Sequence, residues 1–485
     1  MGRVVDIWRS WSPRRRFAVV AGAAVVAAAI AIAVYLALRR PEDVSNPGAA
    51  FSQHKQKTVK PVDWPLYGLN LERTRYLPAK DLNPPFRSSL WSFQAGKLLE
   101  FQPIVVKGRL YFLDKDALFY ALSTDKGHVE WKRKIGSLSA SSPAYADGRL
   151  FAVTLEPGQA VALDAKRKGK VLWRHPLPGR SESSPLVHAG KVILGSESGD
   201  IFALDEKTGK TRWTVHTGGP VKGALAYHSG TVFADNYAGE IYAIDAGSGN
   251  VKWQSGTQGG GFLRGGGVYS TPAVAFGRVY LGGLDGRIYS FTEKTGELAW
   301  SHSTGAEVYP SPAVADTPHS PPTVYAGSQD KRFYALDAKT GAVRWEHPMG
   351  GVVLGSSSVV GETVYVAVIG PNIGTFGYHV KTGKKVFYSD QGEYNPVISD
   401  GKKIYLTGTS TVRAFKPKPR GRHKHGHGAN HRKGGSHHQH RPHHRKHAAR
   451  HRRGAHHHHH HKRTARHHKR GAHRKHAAHH RNRGK

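Results

Sequence analysis

The chain has 485 residues, enough for one large domain with appendages, and carries 72 Lys and Arg against 34 Asp and Glu. It contains no cysteine, which excludes structural disulfides, Cys-ligated zinc, thiol nucleophiles and iron–sulfur clusters. The formal charge of +38 sits mostly at one end: residues 417–485 hold 22 Lys and Arg, 23 of the 33 His and no acidic residue. Residues 63–416 carry 40 Lys and Arg against 31 Asp and Glu, an ordinary balance for a folded domain.

In chain order, residues 1–16 form a short basic segment with Arg3, Arg9, Arg14, Arg15 and Arg16. Residues 17–38 follow without a charge, which predicts a membrane-spanning helix, since about 20 apolar residues cross a hydrocarbon core. The run exceeds the ~7–15 residues of a signal-peptide core and no small-x-small site follows it closely, so it reads as an uncleaved anchor. The arginines before it outweigh Arg39 and Arg40, which Glu42 and Asp43 offset, placing the N-terminus in the cytoplasm and the remainder outside. Residues 39–62 read as a linker.

From residue 63 to 416 a repeat governs the sequence. Trp91, Trp131, Trp173, Trp213, Trp253, Trp300 and Trp345 recur at intervals of 40, 42, 40, 40, 47 and 45, and Phe387 keeps the step 42 residues later. Each aromatic closes one phrase, clearest in ALDEKTGKTRW (203–213), AIDAGSGNVKW (243–253), SFTEKTGELAW (290–300) and ALDAKTGAVRW (335–345). Upstream of each lies a strand, a Gly-containing turn and a second strand, as in KVILGSESGDIFAL (191–204). In the turn, Asp and Thr side chains bond local backbone N–H groups and Gly accepts a positive φ. A period of 40–47 in a strand-rich unit predicts a β-propeller, because one blade alone cannot bury its faces. Three strands follow Phe387 without a closing phrase, and SLWSFQ (89–94) is an outer strand with no inner strands before it. Joining the two closes a ring of eight blades.

The phrase A-x-D-x-x-T-G-x-x-x-W resembles the docking motif of quinoprotein, or pyrroloquinoline-quinone-type, propeller repeats, and DWPLYGLNLERTRYLP (63–78) is similar to the N-terminal lead-in of quinone-dependent alcohol dehydrogenases. The resemblance covers 63–416 and implies an all-β, eight-bladed quinoprotein-like propeller. The same repeat builds dehydrogenases and non-enzymatic propellers, including outer-membrane assembly lipoproteins, so fold alone does not carry activity. The enzyme reading implies pyrroloquinoline quinone with Ca²⁺, a vicinal disulfide above the quinone, a Trp beneath it, a Glu/Asn/Asp ligand set and an Asp base. This chain has no Cys; of its ten Trp, Trp8 and Trp11 precede the apolar run, Trp64 lies in the lead-in and seven occupy docking positions. No segment matches the ligand or base motifs. The expectation is therefore no cofactor and no catalysis, with a quinoprotein alcohol dehydrogenase-like oxidoreductase as the alternative.

Innermost strands begin at a recurring Pro: Pro103, Pro143, Pro185, Pro272, Pro312 and Pro396. Proline at a strand's first residue sacrifices no needed ladder donor. The residue three before it should face the axial opening, giving a ring of Glu100, Ala140, Glu182, Lys222, Tyr269, Tyr309, Leu354 and Glu393. Such a ring suits a cation or small polar ligand, or is a set of solvated loop residues whose charges offset one another. Beside it, GGGFLRGGG (259–267) lacks the Lys-Ser/Thr of a phosphate-binding loop. It reads as a flap or insertion that brings Arg264 to the same mouth.

Residues 417–485 lose all hydrophobic alternation and read as a disordered His/Arg/Lys tail. A polycation of this charge suits anionic envelope polymers or lipid headgroups. The run His456, His457, His458, His459, His460 and His461 suits Zn²⁺, Ni²⁺ or Cu²⁺. Nucleic acid is the weaker expectation, since no aromatics interleave the charges. The combined expectation is a single-pass, membrane-anchored, extracytoplasmic propeller that binds or scaffolds other envelope proteins through its faces. A ligand-sensing propeller is a further alternative.

Overall fold

The structure, a computed structural model, describes residues 12–38, 41–52, 63–259, 266–371 and 373–418. Eight antiparallel sheets form the blades, and their first strands begin at Ile104, Ala144, Leu186, Ala226, Ala273, Ala313, Ser358 and Ile398. Within the third blade the strands Leu186–His188, Lys191–Gly195, Asp200–Asp205 and Thr211–His216 pair in sequence order, innermost to outermost. The middle strands are buried on both faces, as Val192, Ile193 and Leu194 show, because neighbouring blades sandwich them. The outer strand 211–216 alternates exposed and buried residues instead, since its outward edge meets solvent.

The ring closes as the repeat requires. Trp91–Gln94 pairs antiparallel with Thr411–Phe415 and supplies the outermost strand of the eighth blade, so the start of the propeller completes its end.

The docking phrase works across blade boundaries. Asp205 Oδ1 accepts hydrogen bonds from the backbone N–H groups of Lys207 and Thr208 at 3.1 and 2.9 Å and from Thr208 Oγ1 at 2.8 Å. Gly209 then turns the chain with φ 72°. A Cβ at Gly209 would stand 2.8 Å from the Trp173 indole of the preceding blade, so glycine is required by contact as well as by conformation. The same Trp173 donates from Nε1 to Glu206 O at 3.0 Å. Trp91, Trp213, Trp253, Trp300 and Trp345 donate in the same way to Thr124, Ala246, Glu293, Ala338 and Val380, and Trp131 packs its ring on Gly169. Phe387 has no N–H to offer and packs edge-on against Phe86 and Phe415.

Two segments outside the repeat attach to it. Residues 63–77 run past the inner strands of successive blades. Trp64 pairs with Val105, Pro65 O accepts from Tyr145, Leu71 O from Tyr227, Glu72 O from Val274, Thr74 O from Val314 and Arg75 O from Val359. Tyr76–Leu77 then adds a parallel strand to the seventh blade. This segment stoppers the axis.

The other segment, residues 41–52, lies on the fifth blade. Asn46 N donates to Ala299 O and Ser52 N to Phe276 O, each at 2.8 Å, while Arg278 grips Ala49 O and Ala50 O. Part of the expected linker is thus bound to the propeller.

Helix α1, Pro13–Leu38, covers the expected anchor. Among the described residues no helix is long and apolar enough to cross a membrane. The tail with His456–His461, and Arg264, lie outside the described residues.

Candidate functional site

A half-open cavity of about 440 Å³ occupies the axis, within the ~300–1,000 Å³ range of small-molecule sites. Loops that lead from the outer strand of one blade to the inner strand of the next form its wall, and the stopper forms its floor through Tyr67. Six of the eight ring positions line it: Glu100, Glu182, Lys222, Tyr269, Tyr309 and Leu354. The remaining two do not. Ala140 is buried, its methyl too short to reach the opening. In the eighth blade the inner strand starts at Ile398, one residue later after Pro396 than elsewhere, and this shift presents Tyr394 and Asn395 in place of Glu393. Sequence reasoning missed Tyr67, Phe101 and Tyr394. No periodic signal marks Tyr67, because it lies in the non-repeating lead-in.

The polar wall is organised around Glu182. Its Oε1 accepts from Lys222 Nζ at 2.8 Å and its Oε2 from Tyr269 Oη at 2.8 Å. Lys222 also reaches Glu197 Oε1 at 3.0 Å, and its ammonium lies 5.4 Å from the centre of the Tyr237 ring. Burial alone would lower the Lys222 ammonium, but Glu182 and Glu197 outweigh it, so the net shift is upward and the charge is held. Burial, and then the charge of Glu182, push the Tyr269 phenol well above its ordinary value. Burial also pushes the Tyr237 phenol up to about 12. Glu100 makes no hydrogen bond or ion pair among the described residues. Its carboxyl is raised by burial first and by the nearby charge of Glu182 second, against the pull of Lys115.

The floor is a fixed lattice of hydroxyls. Tyr67 Oη lies 2.9 Å from Ser356 Oγ and 3.3 Å from Ser311 Oγ, and Ser311 Oγ accepts from Thr271 N at 2.8 Å. Beneath Tyr67 sit two fully buried guanidinium groups. Arg73 donates to the backbone oxygens of Tyr67, Ser184, Pro185 and Leu225, while Arg75 lies 4.8 Å from the Tyr67 ring centre. Burial raises the Tyr67 phenol, but the charge of Arg75 and the serine hydrogen bonds overcome this and leave it lowered.

A sequence model described as outer membrane protein assembly factor BamB matches residues 79–220 and 197–419, which together take in all eight blades. The chain belongs to the BamB family. A BamB from Burkholderia pseudomallei is 29% identical over 138 residues, covering 28% of this chain and 34% of the relative. A lanthanide-dependent methanol dehydrogenase from Methylacidiphilum fumariolicum is 30% identical over 165 residues, covering 29% and 27%. The matches therefore span about a third or less of these curated relatives. The crystal structure of BamB from Moraxella catarrhalis superposes with a TM-score of 0.57 at 19% identity, covering 68% of this chain and all of that one. BamB membership and similarity to quinone dehydrogenases thus coexist on one fold.

The cavity can be tested against a quinone directly. Pyrroloquinoline quinone carries three carboxylates. It would meet Glu100 and Glu182, and Lys222, the one cation of the lining among the described residues, is already bonded to two carboxylates. The seven repeat tryptophans stand at blade junctions, and among the described residues no Trp lines the floor. Among the described residues no three His, Asp or Glu side chains are grouped to hold a metal ion. The residues present do not fit the quinone–Ca²⁺ pair.

Proposed function

We propose that this chain is a membrane-anchored, extracytoplasmic propeller that binds or scaffolds other envelope proteins. Its tail engages anionic envelope polymers or lipid headgroups. The observation that carries the reading is the family match across all eight blades, in a family whose description is that of an assembly factor. Supporting it, outer strands of different blades expose apolar side chains, including Leu172, Val251, Val343 and Tyr388. Exposed strand edges with apolar residues are natural places for another chain to add. The uncharged run of residues 17–38 in the sequence supports the anchor, and the basic excess of 417–485 supports the tail's role.

The second reading is a quinoprotein dehydrogenase, favoured by the similarity to the methanol dehydrogenase and opposed by the charge of the cavity wall. To test the scaffold reading, photo-reactive residues are placed at Val251 and Val343 in cells producing the full chain, followed by fractionation. The expected result is a salt-resistant membrane pellet containing a discrete adduct with an envelope protein. A soluble, unadducted chain contradicts it.

A further inference from the structure

We propose that the axial cavity is a binding site for a small organic cation, an ammonium group carried on a short apolar body. The inference concerns a ligand and stands apart from the scaffold role.

Unspent acceptors are the first argument. Lys222 is shared between Glu182 and Glu197, so one ammonium faces two carboxylates and makes no ion pair with Glu100. Glu100 lines the cavity half-buried with no hydrogen-bond or ion-pair partner among the described residues. A second carboxyl lies just behind the wall. Asp235 is 2% exposed, and neither of its oxygens has a hydrogen-bond partner among the described residues. Its Oδ1 lies 3.1 Å from where a Cβ on Gly223, a lining residue, would stand. The missing side chain leaves only backbone at that point of the wall. Burial disfavours the ionised form of that carboxyl, and a cation bound at the wall would favour it.

The second argument is the aromatic wall. Tyr269 and Tyr309 line the cavity with ring centroids 5.5 Å apart, and Tyr237, outside the lining, packs against Tyr269 at 6.1 Å. Ring faces of this kind attract ammonium groups within about 6 Å, the more so when partly desolvated. The chain already demonstrates the interaction, since Lys222 Nζ sits over Tyr237 while bonded to Glu182. A free ammonium between Glu100 and the rings of Tyr269 and Tyr309 would repeat that arrangement. The guanidinium groups of Arg73 and Arg75 below the floor set the orientation: they repel a cation from the deep end and leave the ammonium at the carboxylate wall.

The test compares n-butylammonium with butanol and butyrate, which share size and differ in charge. Ligand-observed saturation-transfer NMR follows each on the full chain, and signal counts as cavity binding when Leu354→Phe, which narrows the cavity, removes it. The expected result is cavity binding of butylammonium, weakened about tenfold or more by Glu100→Gln, the loss of one charge-assisted contact. Butanol or butyrate binding the cavity as well as butylammonium overturns the proposal. So does butylammonium signal that survives Leu354→Phe. Should Glu100→Gln fold poorly, the Leu354→Phe comparison with the three probes decides alone.

Discussion

Asp235 ends a middle strand where the third and fifth blades carry Gly195 and Gly282 at the same point of the phrase. In those blades the glycine admits Val221 or Val308 from the following loop, to which a Cβ would come within 2.3 Å. In the fourth blade the carboxyl fills the space, and burial raises it well above the ordinary carboxylate range. A raised native value means that the folded state holds the proton more tightly than the unfolded chain does. Its contribution is therefore complete below the unfolded value of about 4, and stability declines as pH climbs from there toward the raised native value. Asp235→Asn keeps the shape and removes the titration. Denaturant unfolding across that window should give a flatter stability profile for the variant, and at alkaline pH the variant should be the more stable form. Identical slopes would show that Asp235 does not titrate as described. The sequence disclosed the wall residues Glu100, Glu182, Lys222, Tyr269 and Tyr309 because a proline fixes the strand start in most blades. It could not disclose Asp235 or Tyr67, whose placement depends on how one loop and one non-repeating segment fill space.

At the scale of elements, blade junctions and straps do the holding. Trp300 is the most buried of the repeat tryptophans at 1% exposure, because residues 41–52 cover it through the Ser45 bridge. Trp300→Ala should cost about 3–5 kcal/mol in denaturant unfolding, the range for deleting a large buried aromatic. Trp253→Ala, at a junction left partly open, should cost less. The strap itself hangs on Arg278, whose guanidinium donates to Ala49 O at 2.7 Å and to Ala50 O and lies 5.8 Å from the Phe51 ring. Arg278→Ala should free residues 41–52, seen as faster amide exchange at Asn46 and Ser52 with the strands of the fifth blade still protected. Unchanged exchange would mean that the Asn46–Glu297 contact at 2.5 Å and the backbone pairing suffice without it. The Asp-x-x-Thr-Gly turn and its tryptophan were legible because each phrase is local. The strap and the stopper were not, since their partners lie some 40 to 290 residues away and no repeat announces them.

For the whole molecule, ring closure makes the fold one cooperative object: the outer strand Trp91–Gln94 belongs to a blade whose other strands lie more than 300 residues later. Blade number was readable from the tryptophan interval and from the unmatched strands at the two ends. What the disc does was not readable in the same way, because dehydrogenases and assembly factors share its repeat. The decision falls to the axial cavity, where the lining among the described residues offers carboxylates, tyrosines and one already committed cation. The most direct test is titration of the purified full chain with pyrroloquinoline quinone and Ca²⁺, following quinone absorbance and dye-coupled alcohol oxidation together. A binding propeller with this wall should show neither saturable quinone binding at the cavity nor turnover. Tight binding that Leu354→Phe abolishes, accompanied by alcohol oxidation, would contradict the account and make the protein an enzyme.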